Sequence, residues 1–223
     1  MPRDYILAGA TGLVGAEILK QLEQKNGTGR IFCLGRSAPA TLPANAIFIA
    51  HDFLAPVDWG DHQPQNAIAI CTLGTTIKKA GSEAAFRQVD YDFVLNFAEE
   101  THRIGALSLH VVTAHGASAK SGIFYSRVKG EIEDKLQSLN LPALHIYRPS
   151  LLIGERAEHR PGENAAAVAA KLLGPVFKLP GLNAIQPTPA PRLASYILQV
   201  AESATTGNNI HSNAWIMNMT VGA

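Results

Sequence analysis

The stretch Tyr5-Ile6-Leu7-Ala8-Gly9-Ala10-Thr11-Gly12-Leu13-Val14-Gly15 decides the fold. An apolar run passes directly into three glycines at three-residue spacing, and the glycines open an amphipathic run from Leu13 to Gln24. A short strand that is apolar throughout, rather than alternating, is one covered on both faces, as in a parallel sheet. At a strand-to-helix turn the first glycine allows the tight bend, the second lets backbone approach a diphosphate, and the third lets helix lie close on strand. The free N–H groups and positive dipole end of the new helix complete such a site. The spacing is GxxGxxG, and no Gly-Lys-Ser/Thr follows, which excludes a nucleoside-triphosphate loop.

The same alternation continues outward. Ile31 to Leu34, Ala46 to Ala50, Ala67 to Thr72, Leu107 to Thr113 and Ala143 to Arg148 read as further buried strands. Ala84 to His102 and Ile123 to Leu139 read as helices between them. This predicts an α/β fold, a Rossmann-like doubly wound parallel sheet with a small C-terminal substrate region. Residues 1–223 are expected to form a single domain, of which 149–223 is a proline-broken appendage completing the substrate site. Within the appendage, Asn164 to Leu173 and Leu193 to Ser203 are helix candidates, the second with Pro191 in its first turn.

Composition narrows the class. The 223 residues are 47% hydrophobic and 17% charged, with 19 basic against 18 acidic residues. That arithmetic excludes disorder and argues against nucleic-acid or membrane-surface partners, whose basic footprint is missing. Cys33 and Cys71 lie inside apolar runs, so neither a disulfide scaffold nor a metal site is expected. No run approaches the ~20 apolar residues of a membrane span. With no targeting segment evident and the thiols read as reduced, the expected location is cytoplasmic.

The second strand ends Leu34-Gly35-Arg36-Ser37, where a ribose-binding carboxylate would ordinarily stand. A guanidinium and a hydroxyl suit a 2′-phosphate instead, so the expected cofactor is NADP(H). Asp52-Phe53 after the third strand is a candidate adenine contact, or equally a turn former. Leu73-Gly74-Thr75-Thr76 after the fourth is a candidate for the ribose or nicotinamide. Further on, Tyr125 and Lys129 fall at i and i+4 on one helical face. A phenol is a poor acid-base group at neutral pH unless a cation beside it favours the phenolate, which is what this spacing supplies. Thr113 is the candidate hydroxyl for polarising a substrate carbonyl, with Ser118 and Ser121 as substitutes and His115 as a surface residue. The match of Ser126 to Lys129 to a penicillin-binding motif lacks its companions, and the eight histidines show no metal spacing.

Taken together, the glycine loop, Leu73 to Thr76, the Tyr125/Lys129 pair and Arg148-Pro149-Ser150-Leu151-Leu152 resemble the atypical short-chain dehydrogenase/reductases. Lys79-Ala80-Gly81, Val89-Asp90, Phe124-Tyr125, Val128 to Glu131 and Arg160-Pro161-Gly162-Glu163 are similar to the Tat-interacting-protein type of NADPH-binding oxidoreductase and its bacterial relatives. The resemblance implies NADPH contacts at Gly9, Ala10, Thr11, Gly12, Leu13, Val14, Arg36, Leu73, Gly74, Thr75, Lys129, Leu152 and Arg160, with Ser37, Asp52 and Phe53 beside them. It implies Tyr125 as the proton donor or acceptor for a small carbonyl or alcohol substrate. Thr113-Ala114 stands where relatives often carry paired serines, and Ser37 where a second arginine can occur. A homodimer is compatible with this class. Two other readings use the same parts: a non-catalytic NADPH-sensing protein, and a sugar-nucleotide epimerase or dehydratase, which the short C-terminal segment disfavours.

Overall fold

A computed structural model describes residues 2–154, 185–203 and 205–218. In chain order the elements begin with β1 Arg3–Ala8, α1 Leu13–Glu23, β2 Thr28–Gly35, β3 Ala46–Ala50 and β4 Ile68–Cys71. Then come α2 Ile77–Ala80, α3 Glu83–Arg87, a π-helical turn Gln88–Asp92, α4 Phe93–Arg103, β5 Ser108–Val112, α5 Phe124–Gln137 and β6 Ala143–Arg148. The remaining elements are β7 Leu152–Ile153, β8 Thr188–Pro189, α6 Ala190–Glu202, β9 Gly207–Ser212 and α7 Asn213–Asn218. Seven strands form one sheet in the order β3-β2-β1-β4-β5-β6-β9, every neighbouring pair parallel. This is the doubly wound α/β fold.

Successive residues of β1 go to opposite cores, which is why the strand is apolar throughout. Ile6 and Ala8 join Phe97 of α4 and Ile132 and Leu136 of α5 on one face. Tyr5 and Leu7 join Ile18 and Leu22 of α1 and Leu193 and Ile197 of α6 on the other. Two differences from expectation matter. The helix expected over 84–102 is split by the π-helical turn, which carries the fully buried Asp90; such wide turns recur at functional sites. The proline-broken tail, expected as an appendage, supplies α6 to the core and β9 to the sheet edge. Strand β9, Gly-Asn-Asn-Ile-His-Ser, lacks the apolar run that marked the others. The helix candidate from Asn164 to Leu173 lies outside the described residues.

The core beneath α6 holds a polar ladder across β5, β6 and β9. The rings of His110 and His145 stack with centroids 4.6 Å apart, and His145 Nδ1 lies 3.1 Å from His211 Nε2. The Tyr147 hydroxyl reaches His110 Nδ1 at 2.8 Å and the Tyr196 hydroxyl His211 Nδ1 at 3.0 Å. Burial, reinforced by the neighbouring imidazoles, pushes His110 well below the ordinary histidine value, and burial lowers His145. Burial and then His145 hold His211 at about 4. Depressed values mean that the folded state takes up protons less readily than the unfolded chain. The ladder's contribution is therefore complete above pH ~6.5 and shrinks as pH falls towards the folded values. Urea unfolding should lose on the order of 2 kcal/mol between pH 7 and pH 5. A urea midpoint unchanged over that interval would contradict this reading of the ladder.

Candidate active site

β1 and β4 are neighbours in the sheet but not in sequence, so the connections leaving their carboxyl ends diverge and open a crevice there. The glycine loop occupies it. Gly9 has φ +89°, and a side chain there would meet Thr72 Oγ1 at 2.6 Å; one on Gly15 would meet the Gly9 carbonyl oxygen at 2.1 Å. These two glycines serve the chain's own packing, since Thr72 Oγ1 donates to Ala8 O at 3.0 Å directly behind the turn. Gly12 differs. A side chain on it would find only Gly9 O, at 3.2 Å, and otherwise open space. Gly12 is also the N-cap of α1, with no side-chain cap and no acid in the first turn, so helix geometry leaves the leading N–H groups without intrahelical partners. The cradle fits a diphosphate.

A cleft beside the loop is lined by Gly9, Ala10 and Thr11, by Leu34 to Ser37 at the end of β2, and by Phe53 and Leu73. The structure thus gathers candidate residues from the ends of four strands, β1 to β4, into one surface, with Arg36 and Ser37 exposed at its rim. Arg36 also faces a shallower recess shared with Ala50, His51 and Asp52. Asp52 proves to be a turn former: its Oδ1 accepts Leu54 N–H at 2.9 Å. That turn holds Phe53 at φ +64° with its ring against Phe93 and Phe97. Leu13, at the start of α1, is half-buried, while the side chain of Val14 is buried in the core, leaving only its backbone for a ligand.

Tyr125 and Lys129 lie one turn apart on α5. Tyr125 is half-buried, its ring 5.4 Å from that of Phe86. Lys129 is only 4% exposed, and its Nζ lies 2.8 Å from Oδ1 of Asp90. The other oxygen of Asp90 accepts Thr75 N–H at 2.8 Å. Burial alone would lower the Lys129 ammonium, but the charge of Asp90 and the nearby Tyr125 more than offset it, and its pKa is raised. The Gly74 backbone sits directly over this pair, a Cβ there lying 3.3 Å from Asp90 Oδ1 and 3.7 Å from Lys129 Nζ. The loop after β4, the π-helical turn and α5 therefore meet at one buried charge pair.

Thr113 does not take the expected position. It is buried, and its single hydroxyl proton goes to Glu133 Oε1 at 2.5 Å, with Tyr147 O at 3.2 Å. A hydroxyl so committed has no proton to offer a substrate carbonyl. Ser118 is exposed and Ser121 half-buried; their hydroxyl oxygens accept Lys120 N–H and Ile123 N–H. Ser118 lies against α5 through its N–H to Ser126 O at 3.0 Å. His115 is exposed, its backbone tied to Pro149 O. Leu152 packs with Leu13 against the α1–α6 core, whereas Arg160 lies outside the described residues. Two residues had no assigned role from sequence, Asp90 and Glu133. For Asp90 the available signal is an acid four residues after Phe86 on an otherwise apolar stripe, whereas Glu133 follows Tyr125 and Lys129 at four-residue spacing on a polar stripe and carries no such mark.

The glycine cradle, its adjoining cleft and the tyrosine-lysine helix on a parallel seven-stranded sheet define an NAD(P)-binding Rossmann protein of the short-chain dehydrogenase/reductase type. No protein-family model matches the chain. It is 34% identical over 183 residues to the protein FMP52 of Meyerozyma guilliermondii, spanning 78% of this chain and 77% of that one. It is 32% identical over 170 residues to the protein HTATIP2 of Rattus norvegicus, spanning 72% and 67%. The chain belongs to the family that contains FMP52 and HTATIP2. Among solved structures it is similar to a short-chain dehydrogenase family protein of Francisella tularensis, with TM-score 0.63 at 11% identity over 98% of this chain and 100% of that one. It is also similar to the Thermus thermophilus UDP-glucose 4-epimerase, solved as a complex with NAD, with TM-score 0.67 at 16% identity over 96% and 81%. At such identities these two likenesses speak for the fold alone.

One expectation is overturned by the relatives. The Meyerozyma protein and other fungal relatives are named as mitochondrial, which points away from the cytoplasmic location inferred from reduced thiols and the missing leader pattern. Among the described residues no helix is long and apolar enough to cross a membrane, and no cluster of side chains has metal-binding geometry.

Proposed function

We propose that the protein is an NADP(H)-dependent oxidoreductase acting on a small carbonyl or alcohol, with Tyr125 exchanging the proton. The observation that carries this reading is the buried Lys129, pinned by Asp90 beneath the Gly74 backbone and one turn from Tyr125. In this reading the cofactor supplies or accepts the hydride. Gly12 and the first turn of α1 hold its diphosphate, Phe53 and Leu73 flank its adenine, and Arg36 with Ser37 grips the 2′-phosphate. Lys129 holds the nicotinamide ribose and favours the phenolate of Tyr125. Because Thr113 is turned inward, we assign the polarising donor to the loop after β5, with Ser118 the exposed hydroxyl nearest in sequence to its contact with α5.

The 2′-phosphate assignment gives a direct test. Removing one charge-assisted contact costs about 1.5–3 kcal/mol, or roughly 10- to 150-fold in affinity. Arg36→Ala should therefore weaken NADPH by that factor and leave NADH unchanged, as read by fluorescence titration of both cofactors. Equal affinity of the parent for NADPH and NADH would refute the assignment.

A second reading, a protein that binds NADPH to report redox state, is favoured by one observation. The Lys129 charge is already matched by Asp90, which leaves less of its field for Tyr125. The epimerase reading has only the fold in its favour.

A further inference from the structure

Resting on the proposed role of Tyr125, we infer that Glu133 is a positioning residue for this site, setting the height of Tyr125 through one carboxylate shared by the ends of β5 and β6. Tyr125, Lys129 and Glu133 follow one another at four-residue spacing on α5, so they form a single stripe. Glu133 is 1% exposed. Its Oε1 accepts from Thr113 Oγ1 at 2.5 Å and from Arg148 Nε at 3.1 Å. Its Oε2 accepts from Arg148 Nε at 3.0 Å and from Nη2 of the same guanidinium. Thr113 directly follows β5 and Arg148 closes β6, and the two strands are joined at this level by Thr113 N–H to Tyr147 O at 2.8 Å. One buried carboxylate thus fastens the helix to two strand ends at the edge of the sheet where the cofactor crevice opens.

A second constraint on the same face comes from the loop after β5. A side chain on Gly130 would fall 2.1 Å from both the Ala119 nitrogen and the Ser118 carbonyl carbon, so loop backbone presses on the helix there. With the loop backbone at Gly130 and the carboxylate at Glu133 holding adjacent positions on its buried face, α5 has little freedom to slide or roll. Lys129 has its own anchor in Asp90, but among the described residues the Tyr125 hydroxyl has no hydrogen-bond partner, and Tyr125 takes its place from the helix that carries it. A phenol that must meet a reacting oxygen tolerates errors of only about half an ångström. Glu133, two turns away, is what keeps the helix within that tolerance.

Two rival accounts of the same contacts exist, a purely structural ion pair and a Thr113 hydroxyl that touches the substrate itself. They part in a variant series assayed with NADPH and 9,10-phenanthrenequinone as the probe, well below the unfolding temperature of each variant. Glu133→Gln keeps the shape and loses the charge. It should lower kcat by about 10- to 100-fold, with NADPH Kd and quinone KM within about threefold of the parent. Thr113→Ser should match the parent, Thr113→Val should lose turnover in the same manner, and the double variant should lose no more than Glu133→Gln alone. A lower Tm with unchanged kcat in Glu133→Gln would overturn the proposal in favour of a structural pair. Multiplying losses in the double variant would overturn it in favour of direct action by Thr113. Should Glu133→Gln fail to fold, Arg148→Lys with Thr113→Val carries the same comparison, and unchanged kcat in both overturns the proposal. A parent with no quinone turnover, or a Tyr125→Phe variant as active as the parent, would instead refute the Tyr125 reading. The positioning claim then rests on the emission of bound NADPH, which must shift in Glu133→Gln, and an unshifted spectrum overturns it.

Discussion

Replacing Lys129 with Met should destabilise the protein by about 3–5 kcal/mol, because it leaves the fully buried Asp90 carboxylate without its cation. The remaining contact, Thr75 N–H to Oδ2, serves only one of the two oxygens. In Lys129→Met the urea midpoint should fall accordingly, and near-neutral activity should vanish with it. Adding Asp90→Asn removes the stranded charge and keeps an acceptor for Thr75 N–H. The double variant should therefore regain most of the lost stability without regaining turnover or NADPH affinity. That separation matters, since it distinguishes a lysine needed only for folding from one needed also by the cofactor and Tyr125. A single variant as stable as the parent would contradict the charge pair, and a double variant with full activity would contradict the functional role of Lys129.

Gly12→Val should abolish NADPH binding, with a loss exceeding ~100-fold, or about 2.7 kcal/mol, while far-ultraviolet circular dichroism and thermal unfolding stay close to the parent. The structural basis is the difference among the three loop glycines. At Gly12 a side chain meets only one carbonyl oxygen, at 3.2 Å, and points otherwise into open space at the start of α1. It would fill the room that a diphosphate requires at the helix N-terminus. Gly15→Val supplies the contrast, since its side chain would collide with the Gly9 backbone at 2.1 Å and should unfold the loop as well as empty it. A Gly12→Val protein that binds NADPH as tightly as the parent would reduce the loop to a structural turn.

Much of the fold is legible because burial on both faces leaves an unmistakable mark. Ile6 and Leu7 face opposite cores and both must be apolar, and the six strands expected from such runs are present. β9 was invisible for the converse reason. An edge strand needs partners on one side only, so Asn208 and Asn209 cost it nothing and no run appears. The cofactor loop was legible through its glycines, although sequence could not tell which served packing and which served the ligand; that required knowing that Thr72 lies behind Gly9. In sequence, the hydroxyl of Thr113 at a strand end looks the same whether it faces a substrate or a buried carboxylate. What decides is Glu133, twenty residues further on, brought there by α5. Asp90 likewise acquires its meaning only when the π-helical turn rotates it toward Lys129.

If Tyr125 exchanges the proton during hydride transfer with NADP(H), as proposed, Tyr125→Phe must lose most turnover, because that substitution removes a single hydroxyl and nothing else. NADPH oxidation is followed for the parent and the variant over a panel of small aldehydes, ketones and quinones, with NADPH affinity measured alongside. The expected result is measurable turnover by the parent, a loss of about 100- to 10,000-fold in the variant, and NADPH affinity unchanged between them. Equal turnover by the two proteins, or tight NADPH binding by a parent that reduces nothing on the panel, would contradict the account.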